Sequence, residues 1–176
     1  MTSGGGRFAA KDDWQTPDTQ AITFEFGNNK SISWQGISCN NYSVEGTGRG
    51  FVIYGDKGSV LNSGNDNFKI FDASNKVIWE GKDEDSTDTI NPLGPGENLD
   101  GHHFRNFINA VSKDEPLHAE IAEGHKSVLL CQLGNISQRV GRTLHCNAGD
   151  GGKIFNDKDA QKLWKRDYQP GWEPKV

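Results

Sequence analysis

The stretch QAITFEFGNNKSISWQ, residues 20–35, contains the pattern that decides the fold. Apolar residues alternate with polar ones in both of its halves, first Ile22, Phe24 and Phe26, then Ile32 and Trp34. A period of two is typical of a strand with one buried face. The Gly-Asn-Asn turn between the halves therefore predicts an antiparallel β-hairpin.

Further strands are expected on the C-terminal side of this hairpin. Short apolar runs at 51–54, 59–61, 68–71 and 77–80 are separated by turn-forming residues. With the first hairpin, they predict about six strands over residues 20–82. The acidic and then Pro/Gly-rich segment 83–98 is predicted to be a loop.

The periodicity then changes to 3.6 residues, which predicts two helices within 99–141. The first is expected from Leu99 to Ser112 and the second from about Ile121 to Val140, where Gly141 is placed to end it. Their predicted inner stripes are Leu99, His103, Phe104, Phe107, Ile108 and Val111, then Ile121, His125, Val128, Leu129, Gln132, Leu133, Ile136 and Val140.

Strands followed by helices predict an α+β fold, an open-faced, mainly antiparallel mixed sheet with helices packed on one face. We expect a single domain over 1–176, with an irregular lead-in at 1–19 and a C-terminal extension at 142–176. In that extension, Thr143 to Cys146 suits a short strand, and Asp157 suits the cap of a short helix reaching Trp164.

Composition excludes several classes of protein. The net charge of −5 argues against a nucleic-acid partner and weakly against a membrane surface. Three cysteines without C-x-x-C spacing argue against a disulfide scaffold or a zinc site, and Cys131 is expected to be buried. No run is apolar enough to span a bilayer. No signal-peptide core follows Met1, so a cytoplasmic location is the default expectation, although the N-terminus resembles that of a chain cut from something larger.

Glycine-rich and acidic segments do not match ligand-binding motifs. The glycines of 46–50 lack the G-x-G-x-x-G spacing of a dinucleotide site and precede a strand, which favours a turn. Residues 149–153 lack the Ser or Thr that follows Lys in a phosphate-binding loop. The acidic run at 83–88 lacks the ligand order of a calcium loop. We therefore assign no cofactor or metal site to these segments.

Two places could carry binding chemistry. Trp14 and Asp18 suit a sugar, with an indole face for C–H groups and a carboxylate for hydroxyls; equally, Trp14 could pack on the core while Asp18 holds a turn. His103 could act near a cleft, or it could be a hydrogen-bonded core histidine on the apolar stripe. No nucleophile–base arrangement is visible, so no catalytic residue is predicted.

Several stretches taken in order resemble the C-terminal half of the Gfo/Idh/MocA oxidoreductase family, closest to a branch common in Bacteroidetes-like and Planctomycetes-like bacteria. They are Gly5-Gly6-Arg7-Phe8, Asp12-Asp13-Trp14-Gln15-Thr16-Pro17-Asp18-Thr19-Gln20, Thr23-Phe24-Glu25-Phe26, Ile32-Ser33-Trp34-Gln35-Gly36, Leu93-Gly94-Pro95-Gly96, His103 with Asn106-Phe107, 123–131 (EGHKSVLLC) and Gly171-Trp172-Glu173-Pro174.

The resemblance implies a division of labour. An N-terminal Rossmann domain binds NAD(P), the C-terminal domain supplies part of the substrate cleft and often the oligomer interface, and hydride is transferred at a sugar or cyclitol carbon. The family's cofactor glycines and catalytic lysine belong to the other half, so this chain alone is expected to hold no NAD(P) and to be inactive. A substrate-binding role carries over to Arg7, Trp14 and Asp18, and less directly to His103.

Two functional classes remain open. The first is the substrate-binding and oligomerisation domain of an oxidoreductase acting on a sugar-like molecule, with a homo-oligomer formed through the open sheet face. The second is a stand-alone carbohydrate-binding or assembly module without redox activity.

Overall fold

The computed structural model describes residues 1–9, 11, 13–63, 68–81 and 95–174. These residues form two compact units, one comprising Met1–Asn40 with Glu120–Val176 and the other Asn41–Ala119. The combination of helices with antiparallel sheets confirms the predicted α+β class. The strands are β1 Thr2–Gly6, β2 Thr19–Phe26, β3 Lys30–Ile37, β4 Phe51–Tyr54, β5 Gly58–Asn62, β6 Phe68–Asp72, β7 Val77–Gly81, β8 Cys146–Asn147 and β9 Lys153–Ile154; the helices are α1 Pro95–Lys113, α2 Ile121–Val140 and α3 Lys158–Lys162.

The first unit is built on the sheet β1-β2-β3, in which both pairings are antiparallel. The predicted hairpin is β2–β3, with Ile22 opposite Trp34. Ile22 and Phe24 are buried on the sheet face that meets α2, as their alternation predicts, whereas Phe26 at the end of β2 is 39% exposed. On the opposite face, Glu25 and its strand partner Ser31 are exposed.

Strand β1 lies in a segment that the sequence predicts to be irregular, so that prediction is wrong for residues 2–6. Its three glycines show no alternation of apolar and polar side chains, which is why the pattern misses it. At Gly5 the backbone comes so close to β2 that a Cβ would collide with the Thr19 carbonyl oxygen. The glycine is needed because only a residue without a side chain permits this approach.

Helix α2 has the predicted bounds and the predicted end. Gly141 takes a left-handed conformation, with φ of 65°, and its N–H donates to the carbonyls of Ser137 and Gln138. Only the C-terminal half of the predicted stripe is buried, since Leu133 is 2% exposed while Ile121 is 88% exposed. Gly134 packs directly against the Ile22 side chain, so α2 covers one face of the sheet.

The core of the first unit lies beneath this half of α2. It consists of Leu133, Ile136, Leu144, Ile154 and Ala160. The predicted short strand falls slightly later than expected, because β8 begins at Cys146 and pairs with β9. Asp157 caps α3 as predicted, with its carboxylate accepting from the Ala160 N–H at 3.0 Å, and the helix ends at Lys162, before Trp164. Cys131 is exposed, so its predicted burial is wrong.

The second unit contains the antiparallel sheet β4-β5-β6-β7, whose strands follow the predicted runs. Helix α1 begins at Pro95, four residues before the predicted start, because proline at the first helical position lacks an N–H that the helix would leave unpaired. The predicted loop is therefore wrong for 95–98, and its remainder, 83–94 with the acidic run, lies outside the described residues. The α1 stripe is exposed over its described part, with Phe104 at 65% and Val111 at 75%.

Candidate substrate-side site

The connection between β1 and β2 carries three of the predicted site residues. Asp18 stands at its end, 8% exposed, just before β2 begins. Both oxygens of its carboxylate accept from the Phe8 N–H, at 3.0 and 3.1 Å, and one also accepts from the Ala9 N–H at 2.8 Å. Two successive backbone N–H groups facing one anion form a nest, and the charge strengthens each hydrogen bond.

The main chain of Asp18 is held on both sides as well. Its N–H donates to the Gly6 carbonyl at 3.1 Å, and its carbonyl accepts from the Ser38 N–H at 2.7 Å. The Phe8 ring folds back over Gly6, where an added Cβ would lie 3.0 Å from the ring. The base of the connection is therefore fixed by the sheet itself.

Trp14 and Arg7 are carried by this fixed base. Trp14 is 72% exposed, so the interpretation that it packs on the core is wrong. Arg7 is half-buried, and its Nη1 atom is buried. The first unit thus brings Arg7, Trp14 and Asp18 onto one connection, which we call the substrate-side loop, residues 7–18.

His103 belongs to the second unit, on α1, and its side chain is exposed. The interpretation of a core histidine is therefore wrong. A buried polar residue of this helix is Asn106, which is 7% exposed. Its side-chain amide donates to the Pro116 carbonyl, and its oxygen accepts from the His118 N–H, both at 2.9 Å. The sequence could not assign this clamp, because both partners are backbone groups.

Three ionisable groups in the C-terminal part of the first unit, Arg142, Cys146 and Asp157, have pKa values shifted by their surroundings, and the hydrogen bond to Asp157 raises the pKa of Arg142. The Arg142 guanidinium, bonded to Asp157 at 2.6 and 2.7 Å, and the Ala160 N–H lower the pKa of Asp157 to about 2. This pair joins the end of α2 to the start of α3. Burial raises the pKa of the Cys146 thiol, which disfavours the thiolate that a cysteine nucleophile would need.

The glycine-rich segments are tight turns in the structure. Val44 and Thr47 exchange backbone hydrogen bonds at 3.0 Å across Glu45 and Gly46, which both have positive φ. Farther along the chain, the Asn147 side chain accepts from the Gly149 N–H at 3.0 Å and so closes the second turn. This geometry does not fit the helix-opening loop that holds a dinucleotide pyrophosphate.

Among the described residues, no three His, Cys, Asp or Glu side chains come together as a metal site would require. In the described parts of the chain, no helix combines the length and the apolar character needed to cross a membrane.

A family model described as "Oxidoreductase family, C-terminal alpha/beta domain" matches residues 3–145, a range that spans the substrate-side loop and both long helices. Comparisons with curated proteins and with solved structures found no significant match.

Proposed function

From the premise that the chain belongs to the Gfo/Idh/MocA oxidoreductase family through its C-terminal alpha/beta domain, we propose that it is the substrate-binding and oligomerisation domain of an NAD(P)-dependent enzyme acting on a sugar or cyclitol. The observation that carries this function is the substrate-side loop, on which Trp14 is exposed, Arg7 is half-buried and the Asp18 carboxylate is bonded to the loop backbone. A sugar presents C–H groups to an aromatic face and hydroxyls to charged donors.

Arg7, Trp14 and Asp18 are the proposed substrate-side residues. Trp14 offers an apolar face without first breaking core packing, because it is already 72% exposed. Arg7 can donate to hydroxyl oxygens from a fixed fork. His103 remains a weaker candidate, because it lies on α1 in the second unit.

We place NAD(P) binding and hydride transfer outside this chain, in the remainder of a full-length protein. This assignment is supported by the turns at 44–47 and 147–152, whose geometry does not match a pyrophosphate loop. Calorimetric titration of the chain with NAD and NADP tests it. We expect no binding at micromolar concentration, and micromolar affinity for either nucleotide would contradict the assignment.

Sugar binding is tested with the chain by saturation-transfer NMR against a panel of aldoses and cyclitols. We expect weak binding, of the order of a millimolar Kd, because one domain supplies only part of a cleft. Trp14→Ala should abolish transfer to the sugar C–H protons. Trp172→Ala is the matched control, since Trp172 is 77% exposed and lies in the C-terminal tail. No transfer from any compound, or equal loss in both variants, would contradict a sugar site at the loop.

A stand-alone carbohydrate-binding module is the second candidate. Two further indoles favour it, because Trp34 lies over Gly36 and Trp79 over Gly81, so that each ring lies along its own strand. Both are about half exposed, at 48% and 51%. Tight binding on a glycan array by the chain alone, retained in Trp14→Ala but lost in Trp34→Ala or Trp79→Ala, would favour this module over the oxidoreductase domain.

A further inference from the structure

We propose that Asp18 acts as a positioning residue that fixes the substrate-side loop, and that it does not itself contact the sugar. This role rests on the proposed function, from which the loop takes its assignment as the sugar-facing element. It differs from the expectation that the carboxylate receives hydroxyl groups of the substrate.

The carboxylate is already engaged by the backbone of its own loop. Its two oxygens accept hydrogen bonds at 2.8 to 3.1 Å from two consecutive N–H groups, those of Phe8 and Ala9. Asp18 is also 8% exposed, which leaves little of the residue accessible to a ligand. A buried charge is stable only when it is paired or hydrogen-bonded in this way, so a sugar hydroxyl would have to displace a bond that stabilises the loop.

Asp18 has a rigid foundation from which to hold the loop. Its N–H donates to the carbonyl of Gly6, the last residue of β1, and its carbonyl accepts from the N–H of Ser38, which directly follows β3. Because Asp18 is held by the sheet, its carboxylate also holds Phe8 and Ala9, which lie 10 and 9 residues earlier in the chain, at a fixed position relative to the sheet.

The two residues proposed to contact the substrate lie next to these hydrogen bonds in the sequence. Arg7 directly precedes the first bonded amide, and Trp14 lies between the bonded amides and Asp18 itself. Because both ends of the loop are already fixed, less conformational entropy is lost when a sugar binds. Carboxylate charge is required, because an asparagine of the same size would turn an N–H donor towards one of two N–H groups.

The test compares Asp18→Asn with Asp13→Asn, a matched control because Asp13 is an exposed carboxylate of the same loop. In the ¹⁵N-labelled chain we expect Asp18→Asn to move the Phe8 and Ala9 amide resonances. The order parameter of the Trp14 backbone amide should fall from about 0.85 to below about 0.6. Resonances of α2 should stay in place. If only about a tenth of the molecules keep the bound-like loop, the apparent Kd for a sugar ligand rises about tenfold. Asp13→Asn should change none of these.

An unchanged Trp14 order parameter in Asp18→Asn would overturn the positioning role, whatever the chain binds. A fall in the order parameter that leaves sugar Kd unchanged would also overturn it, because the loop would then be irrelevant to binding. If the wild-type chain keeps the hydrogen bonds of Asp18 to Phe8 and Ala9 but binds no sugar, that separate result contradicts the proposed function and not the positioning role. If Asp18→Asn does not fold, acid titration of the wild-type chain decides. The Phe8 and Ala9 amide shifts should follow the Asp18 carboxyl carbon, and independent behaviour would overturn the role.

Discussion

The contact between Gly134 and Ile22 gives the sharpest test of how α2 packs on the sheet. Replacing glycine by alanine inside a helix ordinarily stabilises it by about 1 kcal/mol. At Gly134, however, the new Cβ would lie about 1 Å inside ordinary contact with Cδ1 of Ile22. Relieving that clash requires an off-rotamer Ile22 or a displaced helix, which costs about 1–3 kcal/mol.

Two comparisons isolate this packing effect. Gly124 lies in the same helix with nothing within 4 Å of its Cβ position, so Gly124→Ala should gain up to about 1 kcal/mol. Ile22→Val removes Cδ1 and costs about 1 kcal/mol by itself. It leaves Cγ1 and Cγ2 at 3.4 and 3.5 Å from the new Cβ, which is ordinary contact. Gly134→Ala should therefore be neutral or destabilising in the wild-type background and stabilising in the Ile22→Val background.

Urea unfolding followed by far-UV circular dichroism measures the free energies of unfolding of the wild type, Gly134→Ala, Ile22→Val and the double variant, with Gly124→Ala as the control. We expect a coupling energy of about 2 kcal/mol between the substitutions at 22 and 134. If Gly134→Ala stabilises both backgrounds as much as Gly124→Ala does, α2 does not approach the sheet at Gly134 and the packing described here is wrong.

Three further outcomes follow from the same unit. The pKa of Asp157 lies at about 2 against an ordinary 3.8, so its pair with Arg142 stabilises the fold above pH 4, and this stabilisation is lost as the pH falls towards 2. In Asp157→Asn, Tm should therefore fall less steeply with pH over this range than in the wild type. An equal slope in the two proteins would contradict the pair. Leu133→Ala should cost about 2–5 kcal/mol in urea unfolding because Leu133 is 2% exposed, and a loss below about 1 kcal/mol would mean an unfilled core. Ala21→Arg, on the sheet face away from α2, should dissociate the proposed homo-oligomer in light scattering without lowering Tm; an unchanged mass would place the interface elsewhere.

Much of the local structure could be predicted because its signals are local. The β2–β3 hairpin follows from two alternating runs and a turn, and α2 ends where Gly141 permits a left-handed residue. Strand β1 could not be found in this way, because glycines carry no pattern and the reason for them is a neighbouring carbonyl oxygen on β2.

In the candidate site too, the sequence predicts features with a local signal and misses those that depend on residues distant in the chain. The sequence indicated Trp14 and Asp18 by residue type, but it could not show that the Asp18 carboxylate binds the amides of Phe8 and Ala9. Backbone donors are identical at every position except proline, so only the fold can reveal which of them a side chain reaches. The core interpretation of His103 fails because an apolar stripe shows which face of a helix is apolar and does not show what covers that face.

The backbone pairing of Met1 with Leu144 has a consequence for how the chain reaches its fold. The two residues exchange hydrogen bonds at 2.8 and 2.9 Å across a separation of 143 residues, and the segment Asn41–Ala119 is folded as another unit in between. Closing so long a loop lowers the chain entropy before the contacts between its ends contribute favourable free energy. Structures dominated by such distant pairs therefore fold slowly. On the ribosome, β1 has its partner β2 early, but the core under α2 is complete only after Ile154 and Ala160 have emerged. Early truncations should therefore leave an unfinished sheet that is prone to aggregate, while the middle unit can already be folded.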